Sequence, residues 1–177
     1  MQNEIVSIAL DDLNSLAKET GELVNLAILE NDHVVYLAQA QGNPRGVVSL
    51  FTQIGARAPL YSTGVGKAIL AHMPDEFVKD IIKEGLVSVA RGTITTETAL
   101  WQALTLIRQL GYATDYEENA EGVCCVASSI WDGAGKVVGA LSISGTMARV
   151  NPSNFESLGQ RVSETCRLIS QKMGHAY

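Results

Sequence analysis

The stretch Arg57-Ala-Pro-Leu-Tyr-Ser-Thr-Gly-Val-Gly-Lys-Ala-Ile-Leu70 marks where the chain passes from extended, β-branched sequence into helix. Pro59 restricts Ala58 to extended geometry, Ser62 and Thr63 are good N-cap residues, and Ala68, Ile69, Leu70 and Ala71 are helix formers. A helix therefore starts near Thr63. The N–H groups of Gly64, Val65 and Gly66 have no carbonyl one turn back to bond, and the helix dipole favours negative charge beside them. Glycine lets a ligand approach such a backbone closely, so the turn is a candidate carboxylate seat. Nucleotide versions of this motif fail on specific positions. A phosphate loop would need glycine at Tyr61 and a hydroxyl residue at Ala68, and a dinucleotide fingerprint would need a third glycine at Ile69. Lys67 then reads as a solvated helix residue.

Upstream, residues 4–20 have helical apolar spacing (Ile5, Ile8, Leu13, Leu16, Ala17) and a stop at Gly21. Leu23 to Leu29 and Val34 to Gln41 form a hairpin around Glu30-Asn-Asp-His33, and Gly46 to Gln53 is a third predicted strand. Downstream, Asp75 caps a short helix ending at Gly85, and Thr96 caps another ending at Gly111. Strands are predicted at Tyr112 to Glu118, Gly122 to Trp131 and Lys136 to Gly145, and a last helix starts at Asn151-Pro152. The order is α+β: an antiparallel sheet of about six strands flanked by helices, in one domain spanning 1–177.

With Asp132 to Gly135 as a four-residue loop, Trp131 faces Lys136, Cys125 faces Ser142 and Val123 faces Ser144. Alternation puts Val126, Ile130, Val137, Leu141 and Ile143 on one face, bulky and suited to packing under helices. The other face carries Val123, Cys125, Ala127, Ser129, Ala140, Ser142 and Ser144, which leave room and offer hydrogen-bonding groups. That pattern describes either the floor of a pocket or the water-facing side of an antiparallel sheet.

Several function classes are excluded. A formal charge of −6 with scattered basic residues does not suit direct nucleic-acid binding. No apolar run is long enough to span a bilayer and the first residues are not those of a signal peptide, which points to the cytoplasm. Cys124, Cys125 and Cys166 make neither a disulfide framework nor a metal-ligand spacing, and no metal or cofactor is expected. Cys125 as a nucleophile would need a histidine beside it, yet His33, His72 and His175 fall in a turn, at a helix end and in the tail. Asp115, Glu117, Glu118 and Glu121 read as an acidic strand end facing solvent.

Six separated stretches then share one pattern: Glu19-Thr-Gly-Glu-Leu-Val-Asn-Leu-Ala27, Asp32-His-Val-Val-Tyr-Leu37, the opening stretch 57–70, Gly111-Tyr-Ala-Thr-Asp-Tyr-Glu-Glu118, Glu121-Gly-Val-Cys-Cys-Val-Ala127 and Val138-Gly-Ala-Leu-Ser-Ile-Ser-Gly145. In order and spacing they resemble the C-terminal effector-binding domain of the IclR family of bacterial transcription regulators. The resemblance implies a GAF-like or profilin-like fold without catalysis, and a homodimer or tetramer. It also implies a small-molecule effector, a small organic acid, and contact with DNA only through a winged helix-turn-helix that is not within these 177 residues. It places the ligand at Ala58, Gly64, Val65, Asp115, Cys125, Ser142 and Ser144, with an outer wall near Val47, Leu50 and Tyr61. Two departures, Cys124 where a basic residue is common and Thr146 where proline is usual, point away from that pocket. The rival classes are a GAF-like enzyme using the Cys125 thiol beside Asp115, and an oligomerisation module with a vestigial pocket.

Overall fold

A computed structural model describes residues 1–43 and 52–177. Its elements run α1 (Gln2–Thr20), β1 (Leu23–Glu30), β2 (His33–Gln41), β3 (Arg57–Pro59), α2 (Gly64–Leu70), α3 (Asp75–Glu84), α4 (Glu97–Leu110), β4 (Ala113–Tyr116), β5 (Val123–Trp131), β6 (Val137–Thr146) and α5 (Phe155–Lys172). The strands pair antiparallel in the order β3-β2-β1-β6-β5-β4, so β1 and β6 join a β1–β3 half to a β4–β6 half. This is the expected α+β arrangement. Helices α1 and α5 cover one face of the sheet over a core that includes Leu26, Val126, Ile130, Leu141 and Ile143. Helices α2, α3 and α4 lie on the other face, over Ala27, Val34, Ala113, Ala127 and Ala140. No helix among the described residues is long and apolar enough to cross a membrane.

Local signals place most element ends. Gly21, Gly85 and Gly111 each follow the helix they were expected to stop, and the Thr96 hydroxyl caps α4 by accepting from the Ala99 N–H at 3.3 Å. Two starts differ. Pro74, not Asp75, is the boundary of α3, leaving Asp75 as its first helical residue. A turn over 151–154, closed by the Asn154 N–H on the Asn151 carbonyl at 3.0 Å, delays α5 to Phe155. The predicted strand at 46–53 falls largely outside the described residues. Among the described residues the third strand is Arg57–Pro59, where the proline-restricted Ala58 pairs with Val34.

The β5–β6 register departs from expectation by two residues. Cys125 pairs with Ser144 rather than Ser142, and Val123 with Thr146 rather than Ser144. Two local events produce this. The loop runs one residue longer, because Asp132 Oδ1 accepts from the Ala134 and Lys136 N–H groups, both at 2.9 Å, and Trp131 therefore faces Val137. A bulge between Ile130 and Trp131 then adds a second step. One step alone would exchange the two faces, and the second restores them. Only Val137, on the turn side of the bulge, changes sides: it packs with the α2-side core, while Val138 joins the other.

Candidate functional site

The α2 start is built by short-range bonds. Thr63 is extended (φ −119°, ψ 150°); its hydroxyl donates to the Pro59 carbonyl at 2.8 Å and accepts from the Gly66 N–H at 3.0 Å. Gly66 is therefore already bonded and the Gly64 N–H is turned to Cys125 Sγ, which leaves the Val65 N–H as the donor of this turn without a partner among the described residues. The two glycines are also required by packing. A Cβ on Gly66 would meet the Leu60 carbonyl at 2.4 Å, and one on Gly64 would meet Cys125 Sγ at 2.5 Å and the Ala127 Cβ at 3.3 Å. The first turn of α2 thus rests directly on β5.

Between this turn and the sheet lies a cavity of about 130 Å³. Ala58, Gly64, Val65, Asp115, Cys125, Ser142 and Ser144 all line it. The turn and the small-residue strand face, far apart in sequence, are its two walls. Tyr61 is not in the lining: its hydroxyl donates to the Val87 carbonyl at 2.8 Å and its ring borders a separate cleft. Val47 and Leu50 lie outside the described residues. Sequence reasoning missed further lining residues, among them Asn25, Tyr36 and Asn119. Asn25 carried a signal, an amide in the middle of the apolar run Leu23 to Leu29.

The acidic end of β4 is buried rather than solvated. Asp115 is 5% exposed; its Oδ1 accepts from the Glu118 N–H at 2.8 Å, and its Oδ2 lies 3.6 Å from Cys125 Sγ, which donates to it. Burial first, and the Glu118 charge second, raise the Asp115 carboxyl to about 7, although the Glu118 N–H and Lys67 pull it down. Lys67, expected in solvent, is 3% exposed. Its Nζ pairs with Glu118 Oε1 at 2.6 Å and donates to the Thr114 carbonyl at 2.5 Å. An ammonium can be buried here because a carboxylate and a carbonyl replace its water. Glu117 is likewise buried, accepting from Arg91 Nη2 and the Gly122 N–H at 2.8 Å each; Glu121 alone of the three glutamates is exposed.

Burial, then the adjacent Asp115, push the Cys125 thiol well above its ordinary range, so it is a protonated donor and not a nucleophile. All three cysteines are free and buried. Among the described residues no group of three or more His, Cys, Asp or Glu side chains is placed to hold a metal ion. What the cavity offers is binding chemistry: the backbone N–H groups of the turn, serine hydroxyls, a thiol, the amides of Asn25 and Asn119, the Tyr36 phenol, the Arg57 guanidinium, and a carboxyl that titrates near neutrality.

Comparison with known proteins identifies the family. The family described as bacterial transcriptional regulator IclR, C-terminal, matches residues 1–171. The HTH-type transcriptional repressor AllR of Klebsiella pneumoniae is 36% identical over 172 residues, covering 97% of this chain but 62% of that protein's length. The chain therefore spans about three fifths of the curated relatives it matches. Thermotoga maritima IclR superposes with a TM-score of 0.90 at 34% identity, over 97% of this chain and 69% of the other. A double mutant of the Acinetobacter PobR inducer-binding domain, in complex with 3-hydroxybenzoic acid, superposes with a TM-score of 0.82 at 25% identity, over 93% of this chain and 96% of the other. These relatives are transcription factors, not enzymes.

Proposed function

We propose, because the chain belongs to the IclR family of bacterial transcriptional regulators by its match to that family's C-terminal domain, that residues 1–177 form one ligand-sensing domain with no catalytic turnover. Its effector is a small organic acid, held between the α2 start and the β5–β6 floor by Ala58, Gly64, Val65, Asp115, Cys125, Ser142 and Ser144. The observation that carries this reading is the meeting of the two walls: a single cavity of about 130 Å³ takes one side from 58–65 and the other from 115–144. The N–H groups of Val65, which has no partner among the described residues, and of Gly64, which meets only the Cys125 sulfur, suit a carboxylate, and a PobR domain of the same fold is known in complex with a hydroxybenzoic acid.

The ligand acts by binding one arrangement of paired subunits better than another, in a homodimer or tetramer in the cytoplasm. DNA is contacted by a separate winged helix-turn-helix domain of the regulator.

A thermal-shift screen against small organic acids, amino acids and aromatic acids tests the reading. One class of acid should raise the melting temperature saturably, by about 5–10 °C at a hundredfold excess over Kd, with no product formed. Absence of stabilisation by every acid would favour an oligomerisation module with an unused cavity, and turnover lost in Cys125→Ala would favour an enzyme.

A further inference from the structure

We infer that Asn25 recognises the effector, and that the effector is a small hydroxy acid whose carboxylate sits at the α2 start and whose hydroxyl meets the Asn25 amide. This rests on the acid-sensing reading above and adds the second end of the ligand.

Asn25 lies in the middle of β1, between Ser142 on β6 and Gln39 on β2, and is 1% exposed. It lines the cavity, yet its Oδ1 has neither a hydrogen-bond partner nor contact with solvent, and its amide makes no side-chain hydrogen bond among the described residues. Its neighbour Gln39 does not help, since Gln39 Nε2 donates to the Thr52 carbonyl at 2.7 Å. An unpaired buried amide is costly, and asparagine is a poor strand residue. A β-branched apolar residue would suit both the strand and its burial. The free ligand-binding domain therefore carries a defect that a ligand can repair.

Geometry and size restrict that ligand. The α2 start stands over β5, through Gly64 and Cys125, and β1 is two strands away across β6. Two strand spacings are roughly 10 Å. Hydrogen bonds at the two ends take roughly 3 Å each, which leaves roughly 4 Å between the ligand's polar atoms. A cavity of about 130 Å³ is close to the size that holds a benzene ring, about six heavy atoms. A carboxylate with a hydroxyl two or three bonds away meets both limits. A hydroxyl also donates and accepts, so it satisfies whichever end of the amide turns toward it.

Titration calorimetry with the matched pairs lactate and propionate, and 3-hydroxybutyrate and butyrate, tests this on the wild type and on Asn25→Val. In the wild type at least one hydroxy acid should bind about tenfold or more tighter than its deoxy partner, the effect of one hydrogen bond. In Asn25→Val the ratio should fall to within about twofold while the deoxy acid keeps its affinity, and the ligand-free melting temperature should rise by about 3 °C as the unpaired amide is removed. A structural role for Asn25 predicts the opposite sign: a lower melting temperature, or no folding, in Asn25→Val overturns the inference. So does a hydroxyl preference that survives in the variant. Deoxy acids binding as tightly as hydroxy acids to the wild type overturn the role of Asn25 and leave acid sensing standing. No binding by any of the four acids overturns both.

Discussion

The two faces of the β5–β6 hairpin are made by alternate residues of the same strands, and they are equally hidden from water but differently filled. On the α1–α5 side, Val126, Ile130, Leu141 and Ile143 are all 0% exposed and close a dry core. On the α2 side, Cys125, Ser142 and Ser144 are 2–7% exposed, yet they border empty space. Burial alone does not separate a core from a site. The difference lies in side-chain volume and in polar groups left without partners.

Four experiments press on that difference, in order of expected size. Lys67→Met should be the most damaging, since it strands the buried Glu118 carboxylate. Urea denaturation should show a loss of about 3–5 kcal/mol, mostly recovered in Lys67→Met with Glu118→Gln. Leu141→Ala, on the filled face, should lose about 3 kcal/mol, whereas its neighbour Ser142→Ala should stay within about 0.5 kcal/mol of wild type. Equal losses at the two would mean that the second face is packed after all. Gly64→Ala should cost about 1–3 kcal/mol because its Cβ would meet Cys125 Sγ at 2.5 Å, and a Cys125→Ala background should relieve most of this in a double-mutant cycle. Any side chain at Gly64 therefore disturbs packing before it disturbs a ligand.

The fourth effect is in pH. Asp115 rises from 3.8 in the unfolded chain to about 7 in the fold, so the folded state binds its proton more tightly. The stabilisation is complete below about pH 4 and is lost as pH rises through 7, with a slope of at most about 1.4 kcal/mol per pH unit. Asp115→Asn should remove that part of the stability profile. For the same reason a carboxylate ligand should bind more weakly above pH 7, when a second negative charge shares the cavity, and Asp115→Asn should flatten this dependence.

What could be read in advance was what short-range chemistry decides. The Thr63 cap, the Pro59-restricted strand and the alternation of small and bulky residues each depend on neighbours a few positions away. Bonds between distant residues were not legible. The pairing of Lys67 with Glu118 turned a presumed surface lysine and a presumed solvated acid into a buried pair, and nothing around either residue signals the other. The hairpin shows both cases. The faces given by alternation hold for every residue beyond the bulge although the register differs by two, because the longer loop and the bulge each shift the pairing by one. Asn25 was visible as an amide in an apolar strand. Its importance depends on the empty space above it, which only the packing of α2 creates.

On this reading the hollow face is where a small acid binds. Amide chemical shifts of the nitrogen-15-labelled domain, followed during titration with lactate, 3-hydroxybutyrate and 3-hydroxybenzoate, test it most directly. At least one of these acids should move the Gly64 and Val65 amides saturably, together with those of Asn25 and Ser142, while Leu141 and Ile130 stay nearly still. Saturable shifts confined to the α1–α5 side, or none at Gly64 and Val65 with any of the three, would contradict it.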